Sequence, residues 1–131
     1  THKLDSKNRI MMPSEFRENL IDEIFITKGP ESSLIIYIKE EFEKQSARLN
    51  DLSNENKKNR AIKRLFFSST IKTSLDKQGR ILLNKNLRDY AHIEDEAMII
   101  GNNLTIEIWD VKQWQKYINE VEVNLSDIMD E

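Results

Sequence analysis

The sequence predicts an α+β protein made of two like halves in one chain. Three observations carry this. Leu4-Asp5-Ser6-Lys7-Asn8-Arg9-Ile10-Met11-Met12 recurs as Leu75-Asp76-Lys77-Gln78-Gly79-Arg80-Ile81-Leu82-Leu83, 71 residues later, and a tandem duplication marks an architecture of repeated units. Apolar runs of strand length separated by turn residues follow in both copies. Between the copies lies a stretch with helical periodicity instead. The match extends further: Phe16-Arg17-Glu18 falls on Leu87-Arg88-Asp89, and Leu34, Ile36 and Ile38 fall on Leu104, Ile106 and Ile108. What recurs with most identity is a charged turn, Asp-x-x-x-Arg, while the apolar positions drift in residue type. Function is therefore sought at the turn.

Each half reads as strand, turn, strand, short helix and hairpin, with a helix after it. Lys3–Asp5 and Arg9–Met12 flank a turn at Asp5–Asn8; Thr70–Asp76 and Arg80–Leu83 flank Asp76–Gly79. Asp opens such turns because its carboxylate accepts nearby backbone N–H bonds, and Asn8 or Gly79 tolerates the left-handed conformation that closes them. Pro13 suits the start of a helix over Ser14–Leu20, having no N–H to leave unpaired; Asn84 is the corresponding N-cap in the second copy. Strands follow at Phe25–Lys28 and Leu34–Ile38, then at Ala97–Ile100 and Leu104–Trp109, the second pair joined across Gly101-Asn102-Asn103. Glu40–Leu52 is amphipathic, Ser53-Asn54 breaks it, and Glu55–Phe67 forms a second helix. Asp110 caps a last helix through Val111, Trp114 and Ile118, and a frayed acidic tail is expected beyond Val123.

The chain has 131 residues, enough for one domain or two small halves sharing a core. Its longest apolar runs, such as Leu34-Ile35-Ile36-Tyr37-Ile38, are too short to cross a bilayer, so no membrane partner is expected. No stretch has the pattern of a signal peptide. The absence of cysteine excludes disulfides and zinc–thiolate sites and fits a cytosolic setting. A net charge of −3 looks wrong for a nucleic-acid binder. However, residues 117–131 hold five carboxylates and no Lys or Arg, which leaves +2 for everything before them. Lys3, Lys7 and Arg9 surround one turn, and Lys72, Lys77 and Arg80 the other. Charge distribution matters more than its sum.

On the residues alone, the turns support two readings. Arg9 and Arg80 can pair with Asp5 and Asp76 as surface salt bridges worth about 0–1 kcal/mol. They can also offer a planar donor fork to guanine or phosphate, with the aspartates orienting them. Two copies of a rigid basic hairpin favour the second reading. Lys3, Lys7, Lys72 and Lys77 would then contact phosphates, which positions a protein without reading sequence. Arg17 and Arg88 read as members of structural ion pairs. The basic flank Lys57, Lys58, Arg60, Lys63 and Arg64 reads as a solvated helix face. Trp109 and Trp114 read as core or subunit packing. His2 and His92 stand alone, without the partners a metal site needs, and no catalytic motif occurs. No cofactor, metal or catalysis is expected.

Leu-Asp-x-x-x-Arg-Ile followed by Pro-x-x-Phe-Arg, and again Asp-Lys-Gln-Gly-Arg-Ile-Leu-Leu with Leu-Arg-x-Tyr-Ala, resembles the MraZ family. Arg64-Leu65-Phe66-Phe67-Ser68-Ser69, Ile106-Glu107-Ile108-Trp109-Asp110 and Trp114-Gln115-Lys116-Tyr117 agree, so the resemblance runs from Thr1 to Tyr117. It implies tandem AbrB-like halves forming one intramolecular swapped-hairpin β-barrel with flanking helices. The halves would be residues 1–41 and 70–113, with a helical linker at 42–69 and a C-terminal helix and acidic tail at 114–131. It also implies a homo-oligomeric ring and a cytoplasmic, nucleoid-associated transcription regulator. Such a regulator binds double-stranded promoter repeats of the division and cell-wall gene cluster. The signature falls on Asp5 and Arg9 and on Asp76 and Arg80. Asn8 stands where the family usually has Gly, and Asn84 where it usually has Pro. The rival class is an antitoxin-like or other protein-interaction module of the AbrB-like group.

Overall fold

A computed structural model describes residues 1–129. It is α+β, with an antiparallel sheet and helices on both of its faces. The strands are β1 (His2–Lys3), β2 (Arg9–Met11), β3 (Ile24–Lys28), β4 (Leu34–Ile38), β5 (Ile71–Thr73), β6 (Arg80–Leu82), β7 (Glu96–Asn102) and β8 (Thr105–Asp110). The helices are α1 (Ser14–Arg17), α2 (Lys39–Asn50), α3 (Lys57–Ser69), α4 (Lys85–Ala91), α5 (Val111–Val123) and α6 (Leu125–Met129). Six strands form one sheet in the order β1-β7-β8-β4-β3-β5, and β2 pairs with β6 in a separate ribbon. The hydrogen bonds leave β1 and β5 as edges, so no closed barrel forms among the described residues.

The halves exchange strands. β1 of the first half pairs with β7 of the second, β5 of the second pairs with β3 of the first, and β2 pairs with β6 across the repeat. The hairpins β3–β4 and β7–β8 join through β4 and β8. Strand alternation then divides the apolar residues between two faces. Ile24, Ile26, Leu34, Ile36, Ile106 and Ile108 face a core completed by Ile10 and Met12 from one half and Ile81, Leu83, Leu87 and Ala91 from the other. Phe25, Ile35 and Tyr37 face the opposite way, onto Phe42, Leu49 and Phe66 of α2 and α3. Phe42 stacks on Phe25 at 4.2 Å and on Phe66 at 5.5 Å. Trp109 is buried against α5, with Trp114 at 5.3 Å and Tyr117 at 5.0 Å. Trp109 thus takes the core role expected of it, with Trp114 packed against it at the sheet surface.

Several boundaries differ from expectation, each for a local reason. α1 ends at Arg17 rather than Leu20, because Asn19 and Leu20 turn back onto the carbonyls of Phe16 and Arg17 three residues earlier. α3 begins at Lys57, where the Asn56 carboxamide accepts the N–H groups of Lys58 and Asn59. Asn84 and Asp110 cap α4 and α5 as expected, through Leu87 N–H at 2.9 Å and Gln113 N–H at 3.0 Å. Gly101 lies in β7 opposite Ile106, and the hairpin turns instead at Asn103-Leu104, with Asn103 left-handed at φ 59°. The glycine is needed elsewhere: a Cβ on it would come within 2.9 Å of the Phe16 ring. Residues 125–129, expected to fray, form the short helix α6, and Asn124 ends α5 before it by bonding the Glu120 carbonyl with both its side chain and its backbone N–H. Of the acidic tail, Asp130 and Glu131 lie outside the described residues. No described helix is long and apolar enough to cross a membrane.

The basic flank of α3 is partly spoken for. Arg60 donates to the carbonyls of Asn54 and Glu55, and Lys63 donates to the Leu52 carbonyl and the Asn54 carboxamide. These bonds tie the α2–α3 connection together.

Candidate nucleic-acid interface

The two Asp-x-x-x-Arg turns, far apart in the chain, meet on the β2–β6 ribbon. Arg9 lies opposite Leu82, Ile10 opposite Ile81 and Met11 opposite Arg80. Two further bonds strap the turns together: Met12 N–H to the Gly79 carbonyl at 2.9 Å, and Leu83 N–H to the Asn8 carbonyl at 3.0 Å. They are the same bond made once from each copy, so the ribbon carries an approximate twofold symmetry. Ile10 and Ile81 anchor it in the core.

Each turn is closed in the same way. Asn8 N–H bonds the Asp5 carbonyl at 3.0 Å, and Gly79 N–H bonds the Asp76 carbonyl at 2.9 Å. Asn8 and Gly79 are both left-handed, at φ 61° and 82°, the conformation that Gly and Asn reach most easily. Asp5 Oδ1 accepts the backbone N–H groups of Lys7 and Arg9, each at 2.9 Å, and Oδ2 accepts Arg9 Nε at 2.9 Å. Asp76 repeats this with Gln78 and Arg80, at 3.0, 2.8 and 2.8 Å. Gly79→Ala should cost about 1–2 kcal/mol in denaturant unfolding, the penalty of a left-handed L-residue. Its Cβ would also press within 2.7 Å of Arg17 Nε. Gly79→Asn should cost less, since Asn8 fills the matching place. An unchanged midpoint for the alanine variant would disprove this.

The salt-bridge reading is therefore correct as geometry, and it does not exhaust the arginines. Each guanidinium gives its Nε edge to its own aspartate. The terminal nitrogens reach the other aspartate only loosely: Arg9 Nη1 is 4.0 Å from Asp76 and Arg80 Nη1 is 3.8 Å from Asp5. Arg80 Nη2 also donates to Gln78 Oε1 at 3.2 Å. Among the described residues, the terminal nitrogens of Arg9 make no hydrogen bond. Both arginine side chains stay about one-quarter exposed, at 28% and 25%. Two arginines thus share one outward face, each braced at the stem, with the Arg9 tip free of hydrogen bonds and the Arg80 tip held at one nitrogen by Gln78.

Backbone N–H donation, chiefly from Arg9 and Arg80, holds the Asp5 and Asp76 carboxyls below the ordinary carboxylate range, and their arginines add to this. A carboxyl whose folded value is depressed stabilises the fold above its unfolded value and loses that contribution as pH falls through the folded one. Thermal stability should accordingly be insensitive to these groups from neutral pH to about pH 4 and fall below it. A double Asp5→Asn, Asp76→Asn variant should show a shallower acid fall, which calorimetry across pH 2–7 would reveal. An identical acid profile would refute the assignment. Asp89, lowered by Lys85, retains its own share in both proteins.

The lysines divide. Lys7 and Lys77 stand exposed on the turns themselves. Lys3 lies on edge strand β1, and Lys72 on the opposite edge strand β5, where it pairs with Glu23 at 3.3 Å. Arg17 and Arg88 are structural, but the expected ion pairs are not their means. Arg17 Nε donates to the Met12 carbonyl at 2.8 Å and Arg88 Nε to the Leu83 carbonyl at 2.9 Å. The strand ends offer carbonyls left unpaired as the ribbon stops, which a guanidinium satisfies as well as it would a carboxylate. Sequence reading missed Gln78 as a brace for Arg80; no spacing rule marks it. His92 caps α4 in a left-handed conformation at φ 60°. The described residues contain no group of three or more His, Cys, Asp or Glu able to hold a metal.

Comparison with known proteins agrees with the repeat. The model of the family described as "MraZ protein, putative antitoxin-like" matches twice, over residues 1–65 and 66–131. A protein named transcriptional regulator MraZ from Finegoldia magna is 42% identical over 129 residues, 98% of this chain and 90% of the relative. Proteins of the same name from Clostridium acetobutylicum and Acetivibrio thermocellus are 43% and 38% identical over 127 residues, 97% of this chain and 89% of each relative. With both halves matched and near-complete coverage of these relatives, the chain belongs to the MraZ family.

Proposed function

We propose that this protein is a sequence-specific, double-stranded-DNA-binding transcriptional regulator. One observation carries the reading: two arginines, each braced by its own aspartate, lie side by side on the outward face of one rigid ribbon. Arg9 and Arg80 reach base edges, Asp5 and Asp76 hold their stems at a fixed angle, and Lys7 and Lys77 meet flanking phosphates. Lys3 and Lys72 extend that phosphate track from the sheet edges. The relatives named as transcriptional regulators support this assignment.

The finer reading places the protein in the cytoplasm at the nucleoid, on promoter repeat boxes of the division and cell-wall gene cluster. It assigns residues 1–41 and 70–113 as AbrB-like repeats that swap hairpins toward a barrel, 42–69 as a helical linker and 114–131 as a helix and tail. Assembly into a homo-oligomeric ring would present many such ribbons to a row of boxes, raising affinity without new kinds of interaction. The test is a footprint on the DNA upstream of the protein's own gene, run with light scattering at micromolar concentration. Evenly spaced protected boxes and a closed oligomer are expected. Unbounded or absent protection would overturn the DNA reading, and a monomer alone the ring.

A protein-interaction role is favoured by one observation, the exposed apolar side chains Ile62, Leu65 and Phe67 on α3. DNA binding that appears only with an added partner would support that role instead.

A further inference from the structure

The outward face of the β2–β6 ribbon carries two apolar side chains that the core does not use. On β2, alternation buries Ile10 and turns Arg9 and Met11 outward; on β6, it buries Ile81 and turns Arg80 and Leu82 outward. Met11 is 37% exposed and Leu82 55%. The register sets Arg9 beside Leu82 and Arg80 beside Met11. The four outward side chains form a checkerboard in which each arginine has an apolar neighbour across the ribbon, roughly 4.5–5.5 Å away by backbone spacing. Both copies place the apolar group two residues after the arginine. Lys7 and Lys77 border this face on the adjoining turns, so its charge suits a polyanion.

Resting on the DNA reading above, we propose that Met11 and Leu82 are specificity-determining residues that pack on thymine methyl groups in the major groove, next to the bases reached by Arg9 and Arg80. A two-stranded antiparallel ribbon fits that groove. Base-pair edges there display hydrogen-bond donors and acceptors, and the one apolar group among them is the thymine C5-methyl. An apolar side chain held in fixed register with an arginine fork therefore prefers thymine at its position. Cytosine offers it no methyl to cover and an amino group it cannot satisfy. The exposure of Met11 and Leu82 in the free protein is then half of an apolar surface that the DNA completes.

The test removes the methyl without touching a hydrogen bond. A synthetic duplex carrying the footprinted box is made with thymine and, in parallel, with deoxyuridine at every thymine. The parent protein should bind the uracil duplex about fourfold more weakly for each thymine methyl that Met11 or Leu82 covers. The double variant Met11→Ser, Leu82→Ser should bind both duplexes alike, at the parent's affinity for the uracil form. Circular dichroism and light scattering on the variant verify that fold and assembly are unchanged. Equal binding of the two duplexes by the parent would overturn the proposal while leaving the arginine reading intact. So would a serine variant that keeps the parent's thymine preference, or one whose assembly collapses, which would mark this face as covered by a second copy of the chain. Failure of the parent to bind either duplex would remove the DNA reading and this inference together.

Discussion

A fragment ending at Asn50 is expected not to fold as a monomer. Without the second half, β1 is deprived of β7, β2 of β6, β3 of β5 and β4 of β8. The main core is deprived of Ile81, Leu83, Leu87, Ala91, Ile93, Ala97, Ile106 and Ile108. Each fully buried Leu or Ile is worth about 1.5–3 kcal/mol, while a whole domain is stable by only about 5–15 kcal/mol. Removing that much of the core therefore removes at least as much stability as the intact domain holds. The fragment should be unfolded by circular dichroism, or should dimerise so that a second copy supplies the missing strands. A well-folded monomer would show that each half holds its own core and that the strand exchange is incidental.

Arg9→Ala or Arg80→Ala should sharply weaken promoter binding while leaving the fold intact. The ion pairs are solvent-screened and add little to stability, whereas removing an arginine from a base edge costs about 1–3 kcal/mol per site and relaxes sequence preference. In a ring every subunit carries the same defect, so the effect multiplies. Lys7→Ala or Lys77→Ala should instead lower affinity for all sequences and flatten the salt dependence by about one counterion per phosphate released. The aspartates separate geometry from charge. Asp5→Ala or Asp76→Ala removes a negative charge, which pure electrostatics counts as a gain for DNA binding, yet it frees the arginine stem and should impair binding. Titrations at fixed salt decide between these. Aspartate variants that bind the boxes as tightly and selectively as the parent would reduce the motif to a way of closing a hairpin.

Much of the fold was legible because it is local. The Asp-x-x-x-Arg turns, the left-handed Asn8 and Gly79, and the caps at Asn84 and Asp110 depend on residues within four positions of one another. Short-range geometry of that kind follows from side-chain chemistry alone. Boundaries were less legible, because a helix end is decided by small competing bonds such as those of Asn19, Asn56 and Asn124.

By itself, then, the sequence determined that there are two copies of one motif and that each copy aims an arginine from a tight turn. Only the tertiary structure decided that the two turns lie side by side, that Arg17 and Arg88 serve strand-end carbonyls, that Gly101 makes room for Phe16, and that Met11 and Leu82 share the arginine face. The Arg17 and Arg88 bonds reach only five residues back, where a guanidinium has several acceptors within range. The other arrangements join residues that the chain holds far apart or leaves facing either way, and they are set by which strands exchange between the halves. That choice is made by the common core, where Ile10 and Ile81 meet at the centre of the ribbon, and no local pattern in the sequence encodes it.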